Sequence, residues 1–231
     1  MDPTAQGVIG GAPADGITEH AFTYGDGLPF EVFRAGDSPR GAVLFCSGWP
    51  DAGLTTFFGK PLRAWQSYRD WARLVARAGL AAVLYGNREP TDVHALIAHL
   101  RANAASLAID ASRIGAWACS GHGPVGLAAL SSDALACGAL LYPYTLDCAA
   151  AAAQFRFATP PVGSIACPLL VVRAAADAMP GLNDALDRFL AAHPATRIDV
   201  PGPHAFDLVD DTPHHRAAVA EIVAWLAHHL G

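Results

Sequence analysis

Short apolar runs alternate with segments whose apolar residues recur at helical spacing, and that alternation leaves few folds open to this chain. Residues 41–46, 80–85, 114–119, 140–142 and 168–173 are brief apolar runs of the kind that strands covered on both faces show, and 196–200 reads as a final strand. Between them the period changes. Residues 62–78 put Trp65, Tyr68, Ala72 and Val75 on one helical face and stop at Gly79, a glycine suited to a helix C-terminus. Residues 92–107 do the same with Val93, Leu96, Ile97 and Leu100. Further helices are predicted over 124–130, around Leu182, Leu186, Phe189 and Leu190, and near 149–157. A last one is announced by Thr212-Pro213 and carries Val219, Ile222, Val223 and Leu226. At the front, 20–24 and 29–34 alternate apolar with polar around Gly25-Asp26-Gly27, a hairpin pattern. Strand after helix after strand means βαβ units and a mostly parallel sheet with helices on both faces. The expectation is an α/β chain with a loose arm over 1–17 and a single domain over 18–231.

Composition supports this and removes other classes. With 52% hydrophobic and 16% charged residues, the 231-residue chain has too much to bury and too little charge to stay disordered. A net charge of -6 and a pI near 5.9 lack the basic footprint of a nucleic-acid binder. No apolar stretch nears the roughly 18 to 20 residues of a membrane span, and the first residues lack the basic-then-apolar pattern of a secretory signal. The five cysteines (46, 119, 137, 148 and 167) form no C-x-x-C and read as small core residues of a reducing compartment. A cytoplasmic location follows as the expectation. His94 and His99 stand five apart, a poor metal spacing, and His214, His215, His228 and His229 read as solvated helix positions.

In open parallel sheets, chemistry sits in loops beyond the C-terminal strand ends. Three such loops carry reactive side chains. After the strand at Ile114 comes Ala118-Cys119-Ser120-Gly121-His122-Gly123, a degenerate form of the G-x-S-x-G strand-turn-helix that projects a serine hydroxyl from the sheet. After the strand at Leu169 comes Asp177, placed to accept a hydrogen bond from an imidazole. After the strand at Thr196, in a Gly/Pro-rich loop, comes His204. Each has a plain alternative: a helix-capping serine, a turn aspartate, a surface histidine. Their conjunction, Ser then Asp then His, each directly after a strand, is the order of an α/β-hydrolase triad.

The sequence resembles the dienelactone hydrolase branch of the α/β-hydrolases over about 29–230. The matching stretches are 110–123 (DASRIGAWACSGHG), 168–177 (PLLVVRAAAD) and 202–206 (GPHAF). The resemblance implies an α/β-hydrolase fold with eight strands and no separate lid domain. It aligns Ser120 with the nucleophile, which is a cysteine in dienelactone hydrolases proper and a serine in esterase relatives. It also sets His122 where a glycine is usual, a departure that bears on how closely the turn packs. Cys119 is the rival nucleophile; the alignment puts Ser120 at the apex of the turn. His122 either contacts substrate or covers the helix start.

Acyl transfer needs amide donors for the oxyanion. The backbone N–H of Gly121 is one expected donor; the other comes from 47–51, where Trp49 is the candidate because Pro50 has no N–H. Phe57, Phe58, His122, Tyr142 and Tyr144 are candidates for the pocket wall. The expected activity is a serine esterase acting on small to medium carboxylic esters, lactones included, with no metal or other cofactor and an open cleft. The alternatives are an acyltransferase, an amide or peptide hydrolase with the same triad, or a catalytically weak binding protein of this fold. A small-molecule ester is the expected partner, and a free edge strand or the aromatic surface could support a homodimer.

Overall fold

A computed structural model of the chain describes residues 2–11, 13–38, 40–145 and 164–231. Among the described residues eight strands lie in one sheet: β1 (Thr18–Tyr24), β2 (Leu28–Arg34), β3 (Arg40–Phe45), β4 (Ala81–Tyr85), β5 (Ile109–Cys119), β6 (Gly138–Leu141), β7 (Leu169–Ala174) and β8 (Thr196–Val200). Their spatial order is β1-β2-β4-β3-β5-β6-β7-β8. The β1–β2 and β2–β4 pairs are antiparallel and every other pair is parallel.

The apolar runs are unbroken because both faces of the sheet are covered. Along β3 and the residue after it, Val43 and Phe45 enter one core while Ala42, Leu44 and Cys46 enter the other. Along β4, Ala82 and Leu84 part from Ala81, Val83 and Tyr85 in the same way, the period-2 alternation of a pleated strand. The first face is roofed by the helices Gln66–Arg77 and Pro213–Leu230, through Trp71, Val75, Ile222 and Leu226. The second is roofed by Asp92–Ala102, Gly123–Ser132 and Leu182–Ala192, through Leu96, Ile97, Leu127 and Leu186.

Helix ends follow the sequence signals. Thr212 Oγ1 accepts from the His215 N–H at 3.2 Å and Pro213 opens the last helix. Gly25 and Gly27 take positive φ in the β1–β2 turn, as a tight hairpin requires. Several expectations change in detail. The helix expected over 62–78 is a 3-10 turn (Leu62–Ala64) followed by Gln66–Arg77, and that expected over 92–107 breaks at Asn103. Asp51–Phe58 is helical where only a connection was expected: it buries Leu54 alone and so shows no apolar stripe. His215, expected to be solvated, is 2% exposed, its ring nitrogens facing the carbonyl oxygens of Asp210 and Pro201. Residues 2–9, expected as a loose arm, pack down: Val8 is buried, its N–H donates to Asp70 at 3.1 Å, and the Ile9 N–H donates to the Asp207 carbonyl at 2.9 Å. The helix expected near 149–157, and Cys148, lie outside the described residues.

The strand order fixes where a site can form. From β3 the chain passes to β4 on one side, while β5 is laid on the other, so the loops leaving β3 and β5 diverge over a crevice. Those two loops are 46–50 and the turn at Ser120.

Candidate active site

Ser120 sits where β5 gives way to helix. Cys119 still has an extended backbone (φ -126°, ψ 154°), Ser120 takes φ 50°, and Ser120–His122 forms a 3-10 turn that runs straight into Gly123–Ser132. A non-glycine residue in the left-handed region is strained, so the surroundings must impose it. Small residues make the turn sterically feasible. A Cβ on Gly126 would come within 2.7 Å of Ala118 Cβ, and one on Gly123 within 2.8 Å of the Tyr144 carbonyl oxygen. The helix therefore lies close against β5 and β6, and its N-terminal amides face the serine.

The three loop residues singled out in sequence meet here. Ser120 Oγ is 2.7 Å from His204 Nε2, and His204 Nδ1 is 2.5 Å from Asp177 Oδ2. The Asp177 side chain is shut off from solvent, and its other oxygen accepts the Met179 N–H at 2.9 Å. With a carboxylate on Nδ1, the neutral imidazole carries its proton there and offers Nε2 as acceptor to the serine O–H. Backbone bonds hold the acid and base loops together: Ala175 N–H donates to Val200 O at 2.8 Å and Ala176 N–H to Gly202 O at 2.9 Å.

Cys119, the rival nucleophile, points elsewhere. Its Sγ lies 3.3 Å from Tyr68 OH, and burial pushes the thiol up to about 12, so it stays protonated and inert.

The loop after β3 lies against the elbow. Gly48 N–H donates to His122 Nδ1 at 2.8 Å, Ser47 N–H to Tyr85 OH at 3.1 Å, and Ser47 Oγ to the Trp49 carbonyl at 3.0 Å. A cavity of about 210 Å³ opens between the two loops, lined by Trp49, Leu54, Phe58, Trp65, Ser120, Gly121 and His122. The expected oxyanion donors, Trp49 and Gly121, both border it, as do Phe58 and His122. The other three expected wall residues do not. Phe57 is 73% exposed and meets the Trp49 ring edge-on at 6.2 Å. Tyr142 and Tyr144 are buried and stand against the His204 ring, edge-on at 4.7 Å and stacked at 6.0 Å, so they brace that imidazole. Leu54 and Trp65 were missed as wall residues. Leu54 lies in a segment with no periodicity to mark it, and Trp65 was read as part of a helical face, whereas it stands just ahead of the helix Gln66–Arg77.

Beneath the base lies a polar cluster that no motif announced. Asp207 is buried and accepts from Tyr142 OH at 2.7 Å and from Trp71 Nε1–H at 2.8 Å. Burial pushes its carboxyl up, and these two hydrogen bonds oppose that push. Among the described residues no group of three or more His, Cys, Asp or Glu could hold a metal ion, and no helix is long and apolar enough to cross a membrane.

No family model matches the sequence, and no curated protein matches it. Solved structures do match in shape. Carboxyl esterase 2 from the mycorrhizal fungus Tuber melanosporum overlays with a TM-score of 0.72 at 17% identity, covering 95% of this chain and 88% of its own. A thermostable esterase from Pseudomonas putida gives 0.71 at 17% identity, covering 95% and 85%. An esterase from Rhizomucor miehei gives 0.71 at 17% identity, covering 96% and 85%. Sheet order, crossovers and these overlays agree: the chain has the α/β-hydrolase fold.

Proposed function

We propose that this protein is a serine hydrolase that cleaves carboxylic esters at Ser120. The observation that carries the reading is the unbroken hydrogen-bond line from Ser120 Oγ through His204 to the enclosed Asp177, at 2.7 and 2.5 Å, opening on a cavity. That the three solved structures described above are esterases supports it.

The chemistry follows from the geometry. Ser120 Oγ attacks the ester carbonyl as its proton passes to His204 Nε2, and Asp177 stabilises the imidazolium that forms. Charge moves onto the carbonyl oxygen, where the Trp49 and Gly121 amides serve as donors, one such donor contributing about 3 to 4 kcal/mol. Collapse expels the alkoxide, which takes the proton from Nε2 and leaves as the alcohol. Water then gives a proton to Nε2, attacks the acyl-enzyme and releases the acid, returning the proton to Ser120. A cavity of about 210 Å³ walled by Trp49, Leu54, Phe58 and Trp65 suits a short acyl or compact aromatic group.

The test is Ser120→Ala with a p-nitrophenyl ester of short acyl chain. Turnover is expected to fall by roughly four orders of magnitude or more, and labelling by a fluorophosphonate probe to vanish. Near-full turnover in that variant excludes the reading, and a wild type that neither labels nor turns over points to a binding protein instead.

A further inference from the structure

We propose that His122 is a positioning residue that latches the loop after β3 onto the nucleophile turn, so that both oxyanion amides keep one fixed geometry. The proposal rests on Ser120 being the nucleophile and assigns a purpose to one of the two residues, Ala118 and His122, by which this turn departs from G-x-S-x-G.

His122 Nδ1 lies 2.8 Å from the Gly48 amide nitrogen. A backbone N–H can only donate, so Nδ1 must be unprotonated and the ring neutral, with its proton on Nε2. Desolvation by the surrounding loops holds this imidazole down to about 4, well below its ordinary 6.5, so the acceptor persists across the neutral range. The ring is also braced edge-on by Tyr68 at 6.1 Å.

The bond joins the two walls of the crevice where they approach closely. A Cβ on Gly48 would come within 3.1 Å of the Gly121 carbonyl oxygen and 3.4 Å of His122 Cα, so the two backbones nearly touch. The bond also uses up the Gly48 N–H, which removes it as an oxyanion donor. The expected donor Trp49 is the very next residue, and Gly121 directly precedes His122. One hydrogen bond thus fixes the spacing between the residues on either side of the oxyanion position. The neighbouring bonds from Ser47 N–H to Tyr85 and from Ser47 Oγ to the Trp49 carbonyl hold the rest of the loop but do not tie it to the elbow.

Misplacing a transition-state donor costs kcat more than substrate binding, because the oxyanion exists only at the reacting stage. Three variants test this with the short-chain p-nitrophenyl ester, beside wild type and Ser120→Ala. His122→Leu removes the acceptor at similar bulk. His122→Gly removes it while restoring the usual glycine. His122→Asn keeps an acceptor, since Asn Oδ1 falls close to the place of His Nδ1. The latch predicts that Leu and Gly lower kcat by roughly 10²-fold with KM little changed. It predicts that Asn is faster than Leu by up to roughly tenfold, the worth of about one hydrogen bond. Hydrogen exchange at the Gly48 amide should be fast in Leu and Gly and slow in Asn and wild type.

If His122 merely covers the start of the helix, Gly is harmless and the three variants turn over alike; that result overturns the latch while an inactive Ser120→Ala leaves the esterase reading intact. Equal losses in Asn and Leu overturn it too. Full turnover in Ser120→Ala removes the esterase reading and the latch with it. Should Leu fail to fold, the Gly and Asn pair decides the matter alone.

Discussion

At position 120 a serine is held at φ 50°, where a Cβ is unwelcome, so the fold carries strain at the proposed nucleophile. This gives a prediction free of the hydroxyl itself. Ser120→Ala and Ser120→Gly both lose the bond to His204, but only alanine keeps the strained Cβ. Ser120→Gly is expected to be the more stable by about 1 kcal/mol, read by urea unfolding, with both variants inactive. The neighbouring thiol gives the converse. Because burial keeps Cys119 protonated, Cys119→Ala should retain turnover within roughly a few-fold, its loss being one of packing against Tyr68; a drop comparable to that of Ser120→Ala would reassign the nucleophile. His122 adds a dependence on pH. Its folded value of about 4 lies below the 6.5 of the unfolded chain, so unfolded molecules bind the proton first. Its stabilising contribution is whole above about pH 6.5, drains away as pH falls toward 4, and amounts to about 3 kcal/mol over that window. Asp51, pushed up to about 6 by burial, acts in the opposite sense, because the native state takes its proton first. Wild-type stability should therefore change less on acidification than His122 alone dictates. His122→Asn should gain stability relative to wild type between pH 7 and pH 4.5, measured by denaturant unfolding at both.

The elements carry the site by closeness of approach. Gly123–Ser132 can begin directly under Ser120 only because Gly126 lets it settle on Ala118, where an added Cβ would stand 2.7 Å away. Gly126→Val is expected to force helix and strand apart, cost about 1 to 3 kcal/mol and lower turnover together with the melting temperature. A fully active, equally stable Gly126→Val would show that the helix does not hold the elbow in shape. Ala118 was visible in sequence as part of the turn, whereas Gly126 was only one position of the helix predicted over 124–130. By contrast, the Asp51–Phe58 helix was not legible, since a segment that buries only Leu54 has no periodicity to read. The cavity wall was half legible for a related reason. Aromatic residues near strand ends mark a neighbourhood, but only their rotation about the backbone decides between cavity and core. That rotation sends Phe58 to the cavity, Phe57 to solvent and Tyr142 behind the base.

Across the whole molecule, Asp207 is the point where remote segments meet. Its carbonyl accepts from Ile9 in the N-terminal arm, and its carboxylate from Trp71 on a roofing helix and from Tyr142 after β6; it stands three residues from His204. Replacing it by alanine leaves a buried Trp71 N–H and a buried Tyr142 O–H without their acceptor, each at about 1 to 3 kcal/mol. Asp207→Ala is therefore expected to destabilise the fold by about 2 to 6 kcal/mol in urea unfolding. An unchanged midpoint would mean that this cluster does not bind the arm, the sheet and the base loop together. The linear order of residues, read alone, determined the parallel sheet, the strand-end loops and the Ser, Asp and His within them, because period and chain order are local properties that burial on both faces imposes directly. Tertiary structure alone decided that a histidine at an expected glycine faces Gly48, that two tyrosines back the His204 ring, and that Asp207 gathers the arm beneath it. Those outcomes depend on which residues far apart in the chain come within hydrogen-bonding or ring-contact reach of one another, a proximity that no local pattern encodes.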